Sequence, residues 1–169
     1  TVGKNSSDAV VTDTITVTVK KAEAGDVLTD TITYTNGSGV AIDGGFNFGD
    51  EKFDIINLQG TSTNAPVNKY PEIRIYGKHL LTFTAKDASY KISKIEFVIS
   101  GASYMNLLLD VQSGTTSAGA ELTSDLYTVG NATDKGFDVT FNEGVSSVTL
   151  TNTGKQVRFT SFVIYYTAE

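Results

Sequence analysis

The sequence predicts an all-β fold, an antiparallel two-sheet β-sandwich of jelly-roll-like type, and three observations carry that expectation. Apolar and polar residues alternate over many short stretches, which is the period of a half-buried strand. Turns rich in glycine and asparagine separate those stretches. Nowhere do apolar residues recur at helical spacing for three turns, and the one candidate, "AELTSDLY" (120–127), has room for one or two turns at most. At 169 residues the chain fits one domain, able to bury roughly two-thirds of its unfolded surface.

The elements follow in chain order. The opening "TVGKNSSDAV" is polar and unpatterned, so its first ten residues are expected to fray. "DTITVTVKK" (13–21) alternates Ile15, Val17 and Val19 with threonines, and "TDTITYT" (29–35) does the same. The pair "VTDTITVT" and "LTDTITYT" nearly repeats 17 residues apart, too short and too isolated for a solenoid. Residues 1–26 are therefore expected to form an N-terminal arm or edge strand, and 27–169 the sandwich. Next comes a glycine- and asparagine-punctuated stretch holding both prolines, Pro66 and Pro71, which bracket a loop. Strands resume with "EIRIYG", "HLLTFTA" and "KISKIEFVIS". In the last of these Ile95, Phe97 and Ile99 share a face and Ile92 is out of phase, which predicts a bulge or strand start at Ser93–Lys94. "VTLTNTGKQVRF" reads as a hairpin with Gly154 supplying a positive φ. In "VRFTSFVIYY" Val157, Phe159 and Val163 occupy one parity and Phe162, Ile164 and Tyr166 the other. That predicts a central strand buried on both faces.

Composition closes several function classes. Hydrophobic residues make up 40% and charged residues 19%, which suits a folded β-protein better than a disordered tail. With 19 acidic against 13 basic residues the net charge is −6, and no basic cluster offers a phosphate backbone its partner, so nucleic acid is disfavoured. The absence of cysteine excludes disulfides, thiolate metal sites and cysteine nucleophiles. Apolar runs such as "NLLLDV" are far shorter than a membrane-spanning helix, so no membrane insertion is expected. The sequence starts at Thr1 without a signal-peptide pattern, which suggests a processed or excised piece of a longer precursor.

"YKISKIEFVISG", "YTVGNATDKGFDVTF" and "VSSVTLTNTGKQVRFTSFVIYYT", preceded by "IRIY…LTFTA", carry a resemblance. From about residue 28 to residue 167 the chain resembles a recurrent β-sandwich module of exported and surface proteins of gut Bacteroidetes and Firmicutes. Those modules often place a tryptophan before the glycine-asparagine turn, where this chain has Tyr127. The resemblance implies a jelly-roll-like sandwich, a secreted or cell-surface location in a bacterium, and a non-catalytic role.

Candidate chemistry is sparse. A catalytic triad or a zinc site needs more than the single histidine, His79. Paired carboxylates cleave glycosides at defined separations. The sequence places no two of its loop acids at such a distance. "DGGFNFGDEKFD" (43–54) spans an EF-hand loop length but has Phe48 where that loop needs glycine. A sandwich calcium site built from Asp43, Asp50 and Asp54 stays open as a candidate, with calcium the one candidate cofactor. The sequons "NSS", "NGS" and "NAT" carry little weight in a bacterial protein.

Sugars bind on flat aromatic faces with amide or guanidinium donors nearby. If Ile73 and Ile75 face the core, Glu72, Arg74 and Tyr76 face the other way, with Tyr70 beside them. Only Arg74 and Arg158 are arginines, against eleven lysines, so a planar five-donor fork marks a position where geometry counts. Tyr70, Arg74, Tyr76 and Asn64, in the loop "TSTNAPVNKY", are the candidate ligand-binding residues. The competing expectation is a solvated face on which Glu72 and Arg74 form an exposed pair worth about 0–1 kcal/mol. The function expected is a non-catalytic binding or display module of an exported protein, with carbohydrate the leading ligand class. The alternative is a structural spacer, adhesin or virion-decoration domain that binds protein and no small ligand.

Overall fold

The computed structural model describes residues 25–100, 109–116, 118–133 and 135–168. The strand expected at 13–21 and the frayed first residues lie outside these. Eleven strands run through the described residues: β1 (Leu28–Thr33), β2 (Val40–Ile42), β3 (Gly45–Asn47), β4 (Phe53–Leu58), β5 (Ile73–Ile75), β6 (Leu80–Ala85), β7 (Tyr90–Ile99), β8 (Leu109–Thr116), β9 (Tyr127–Thr133), β10 (Gly136–Asn152) and β11 (Val157–Ala168). None of the described residues is helical; 120–126 form an irregular turn with a single bridge from Glu121 to Thr115, and Tyr127 already begins β9.

Every strand pairing is antiparallel, and the strands join into one sheet in the order β1-β11-β7-β10-β6-β4-β3-β2. The sheet curls because β10 serves both layers. Its first half pairs with β7 and β9, and its second half with β6 and β8. Gly144 lies between the halves at φ 71°, a left-handed conformation that costs a residue with a Cβ. The parity of β10 changes there too: Val139 and Phe141 face inward before the bend, Val148 and Leu150 after it. The result is a β-sandwich of jelly-roll-like topology.

Aromatic rings fill the space between the layers. Phe83 on β6 meets Phe97 on β7 and Phe162 on β11 edge-to-face, with centroids 5.6 Å and 5.2 Å away. Phe53 on β4 meets Tyr166 on β11 at 5.1 Å. In the hydrogen-bonded order β6 and β11 are three strands apart, so these contacts exist only because the sheet closes on itself. Burying each such side chain contributes about 1.5–3 kcal/mol.

Two long strands shift phase at bulges. On β7 the register passes from Lys94 opposite Tyr165 to Ile92 opposite Tyr166, leaving Ser93 extra, as the out-of-phase Ile92 predicts. On β11 it passes from Phe159 opposite Ile99 to Ser161 opposite Val98, leaving Thr160 extra. The last strand is central, between β7 on one side and β1 and β5 on the other. The expectation of burial on both faces is corrected. Val157 and Phe159 face the core before the bulge, and Phe162, Ile164 and Tyr166 after it, so one face is buried throughout and the bulge switches the parity.

The connection at 153–156 is not a hairpin, because β10 ends beside β6 and β8 while β11 pairs with β7. Nor is Gly154 among the glycines with positive φ. The fully buried Asn152 shapes this crossover instead: its amide donates to the carbonyls of Ile75 (2.9 Å) and Lys155, and its Oδ1 accepts from Gly154 N–H at 2.9 Å.

Phe159→Ala and Phe162→Ala should each cost roughly 3–5 kcal/mol, because both rings are fully buried among other aromatics. Urea denaturation followed by circular dichroism measures this. Unchanged midpoints in both variants would mean that β11 does not carry the core.

Candidate functional site

The site grows from the short pairing of β5 with β11. Ile73 and Ile75 are buried, so the pleat turns Arg74 to the outer face. The register places Arg74 directly opposite Arg158, the chain's two arginines side by side. Like charges in that position repel unless an anion lies between them. Glu72 supplies it: its Oε1 lies 3.1 Å from Arg74 Nη2 and 3.1 Å from Arg158 Nη1. Gln156 adds an acceptor for Arg158 Nε at 2.7 Å. Glu72 is only 7% exposed, so the expected exposed Glu72–Arg74 pair is corrected to a largely buried three-charge cluster.

Tyr70 covers the cluster. The Arg74 guanidinium carbon lies 3.3 Å from its ring centroid, a stacked cation–π contact. Arg74 Nε is buried and finds no hydrogen-bond acceptor, so the ring face is what it has in place of one. Tyr76, just past the end of β5, meets His79 edge-to-face at 5.3 Å.

His79 links this face to the loop expected to carry Asn64. The ring is fully buried; Nε2 lies 2.8 Å from the Asn64 carbonyl and Nδ1 3.0 Å from Asn57 Oδ1. Both neighbours are acceptors, and a neutral ring has one N–H, so it satisfies only one of them. Burial pushes the His79 pKa below its ordinary value, and the hydrogen bond to Asn64 offsets part of that. Asn64 itself is exposed and, with Thr61, Ser62, Thr63, Lys78 and Thr153, lines a polar cleft of about 230 Å³. Lys78 stands at φ 70° in the turn that brings His79 inward. Of the four candidate ligand residues, the structure joins Tyr70 to Arg74 by direct contact and Tyr76 to Asn64 through His79.

The candidate calcium ligands are not assembled in one place. Asp43 lies in the exposed β2–β3 turn, at the opposite end of β3 from Asp50. Asp50 accepts the N–H groups of Lys52 (2.8 Å) and Phe53 (3.0 Å) and so closes the turn into β4. Burial works to raise its pKa, but those bonds outweigh it and hold the carboxyl below its usual range. Asp54 pairs with Lys86 at 3.1 Å and accepts from the Asn47 amide at 2.7 Å. Among the described residues no group of three or more acids and histidines is placed to hold a metal ion.

A second cleft escaped the sequence. Glu96 on β7 faces Asp138 on β10 across the outer surface, and both line a cleft of about 250 Å³ with Thr133, Lys135 and Phe137. The hydrogen bond from Lys94 at 2.6 Å, with another from Tyr165 Oη at 3.0 Å, holds the Glu96 carboxyl below its usual range. Only strand register makes these two acids neighbours, so no sequence signal marked the pair.

The fold and this polar face define a β-sandwich with an outward aromatic and arginine cluster. Comparison with protein-family models, curated proteins and solved structures gives no match. Among the described residues no helix is long and apolar enough to cross a membrane.

Two outcomes follow from these contacts. Because the folded pKa of His79 lies below the unfolded 6.5, the unfolded chain binds the proton more readily. Its contribution to stability is complete above about pH 6.5 and is lost as pH falls through the lower folded value. Urea midpoints at pH 7.5 and 5.5 should therefore drop in the wild type and much less in His79→Asn; equal slopes would remove His79 from the linkage. Glu72→Ala removes the carboxylate that the two opposed arginines share and should cost about 3 kcal/mol. A loss near zero in the same assay would mean that the cluster is solvated in solution.

Proposed function

We propose that this chain is a non-catalytic binding or display module of an exported or cell-surface bacterial protein, with carbohydrate as its ligand class. The observation that carries the proposal is the support beneath Tyr70. A sugar ring stacks on an aromatic face, and the contact is tighter when that face is held still before the ligand arrives. Arg74 backs the ring at 3.3 Å, and Glu72 in turn anchors Arg74. The cleft at Asn64, joined to Tyr76 through His79, offers hydroxyl and amide groups to a sugar's own hydroxyls. Its volume of about 230 Å³ falls below the roughly 300–1,000 Å³ of enclosed small-molecule pockets, which suits a glycan lying along a surface. His79 is fully buried with an acceptor at each ring nitrogen, which supports a non-catalytic role. The resemblance to exported modules supports the location.

A second reading, a structural spacer, adhesin or virion-decoration domain, draws on a different feature. Val40 and Ile42 on β2 are 68% and 37% exposed at the end of the sheet, an apolar edge that suits a protein partner.

A glycan array followed by calorimetry on the hits separates the two. A bound glycan should lose at least about tenfold in affinity, near 1.4 kcal/mol, in Tyr70→Ala and in Arg74→Ala. Unchanged binding in Tyr70→Ala, Arg74→Ala and Tyr76→Ala would move the site elsewhere. A folded chain that binds no glycan at millimolar concentration would favour the structural reading.

A further inference from the structure

β1 ends the sheet on one side. Among the described residues it pairs with β11, and nothing pairs along its outer edge. In an antiparallel pair alternate residues turn their N–H and C=O toward the partner, and the residues between them turn theirs away. Tyr34 donates its N–H to the Thr160 carbonyl at 2.9 Å, so by alternation Ile32, Asp30 and Leu28 belong to the bonded set. Thr29, Thr31 and Thr33 therefore direct their N–H and C=O groups outward, away from β11. Their side chains are exposed, and those of Leu28 and Ile32 are only half covered. The strand has no lysine, proline or bulge to discourage pairing, and its one charge, Asp30, is neutralised by Lys52 at 2.9 Å.

The chain carries a near-copy of this strand. Thr12, Asp13, Thr14, Ile15, Thr16 and Thr18 match Thr29, Asp30, Thr31, Ile32, Thr33 and Thr35, six identities over eight positions. The other two positions hold Val11 and Val17, so apolar residues keep the same parity. Residues 19–27 connect the copy to β1, and nine residues are enough to reverse direction. So short a tether sets an effective concentration in the millimolar range, far above that of a second chain in dilute solution.

We propose that the outer edge of β1 is a strand-docking surface, and that its occupant is the chain's own segment Val11–Thr18, added antiparallel as the outermost strand. The added strand accepts and donates to Thr29, Thr31 and Thr33, and it covers the open flanks of Leu28 and Ile32. An extended threonine-rich strand from a partner reaches the same edge only by displacing this segment.

Amide hydrogen exchange followed by NMR on the full chain tests the proposal. The comparison is with Ile15→Pro/Thr16→Pro, whose adjacent prolines place one in the bonded set whatever the register. In the wild type the amides of Thr29, Thr31 and Thr33 should exchange at least ~100-fold more slowly than exposed amides. In the variant those three should lose protection while Phe97 and Ile164 keep theirs, which shows that the sandwich is intact. The proposal is overturned if the three amides are unprotected in the wild type, or if their protection survives the prolines. Protection that grows with protein concentration would assign the edge to a second copy and equally overturn it.

Discussion

The bend in β10 at Gly144 is the constraint on which the other contacts depend. Before it the strand hydrogen-bonds to β7 and β9, and after it to β6 and β8, so one continuous backbone holds both layers. Because the layers are tied there, β6 folds back over β7 and β11, and Phe83 reaches Phe97 and Phe162. A strand that stayed straight would leave these rings on one open face. The bend needs a residue tolerant of φ 71°, and it needs the inward face to change parity on either side. Glycine meets the first requirement, and the register shift near it meets the second.

The polar face follows from the same packing. Once β11 is central, its first residues have a free side that β5 takes, and the pairing sets Arg74 opposite Arg158. Two guanidinium groups at that spacing are tolerable only with an anion between them, and Glu72 enters from the start of β5. Tyr70 then closes over the arginine whose Nε has no acceptor. His79 and Asn152 do related work at the strand end. Each is fully buried, and each uses side-chain polar atoms to tie a loop to the sheet: Asn64 through His79, and Gly154 and Lys155 through Asn152.

The long strands explain where period-two reading succeeds and where it fails. A slip of phase in the apolar pattern has two physical causes, a bulge or burial on both faces. In "KISKIEFVIS" the slip at Ile92 points to a bulge, and Ser93 is the extra residue. In "VRFTSFVIYY" the same kind of slip suggests two buried faces, yet Thr160 is extra there and one face is buried. Nothing local distinguishes the two cases. Whether the second face is covered depends on what packs over it, and that is a property of the layers. The crossover at 153–156 departs from the expected hairpin for a similar reason: turn residues mark a reversal of direction but do not say which strand the next one pairs with.

Arg74 and its neighbour Tyr70 were legible as a group because alternation through β5 and the rarity of arginine are both sequence properties. The partner that makes the group a cluster, Arg158, is 84 residues away from Arg74 and meets it only through strand register. The pairing of Glu96 with Asp138 and the burial of His79 between Asn57 and Asn64 arise in the same way. By itself the sequence determined the fold class, most of the inward-facing residues and the absence of cysteine chemistry, because those follow from composition and from a two-residue period that each strand carries within itself. Only the tertiary structure decided which sheet each strand joined, where the bulges fell and which charges met. Those depend on pairings between distant segments, and their energies are set by burial that no single strand encodes.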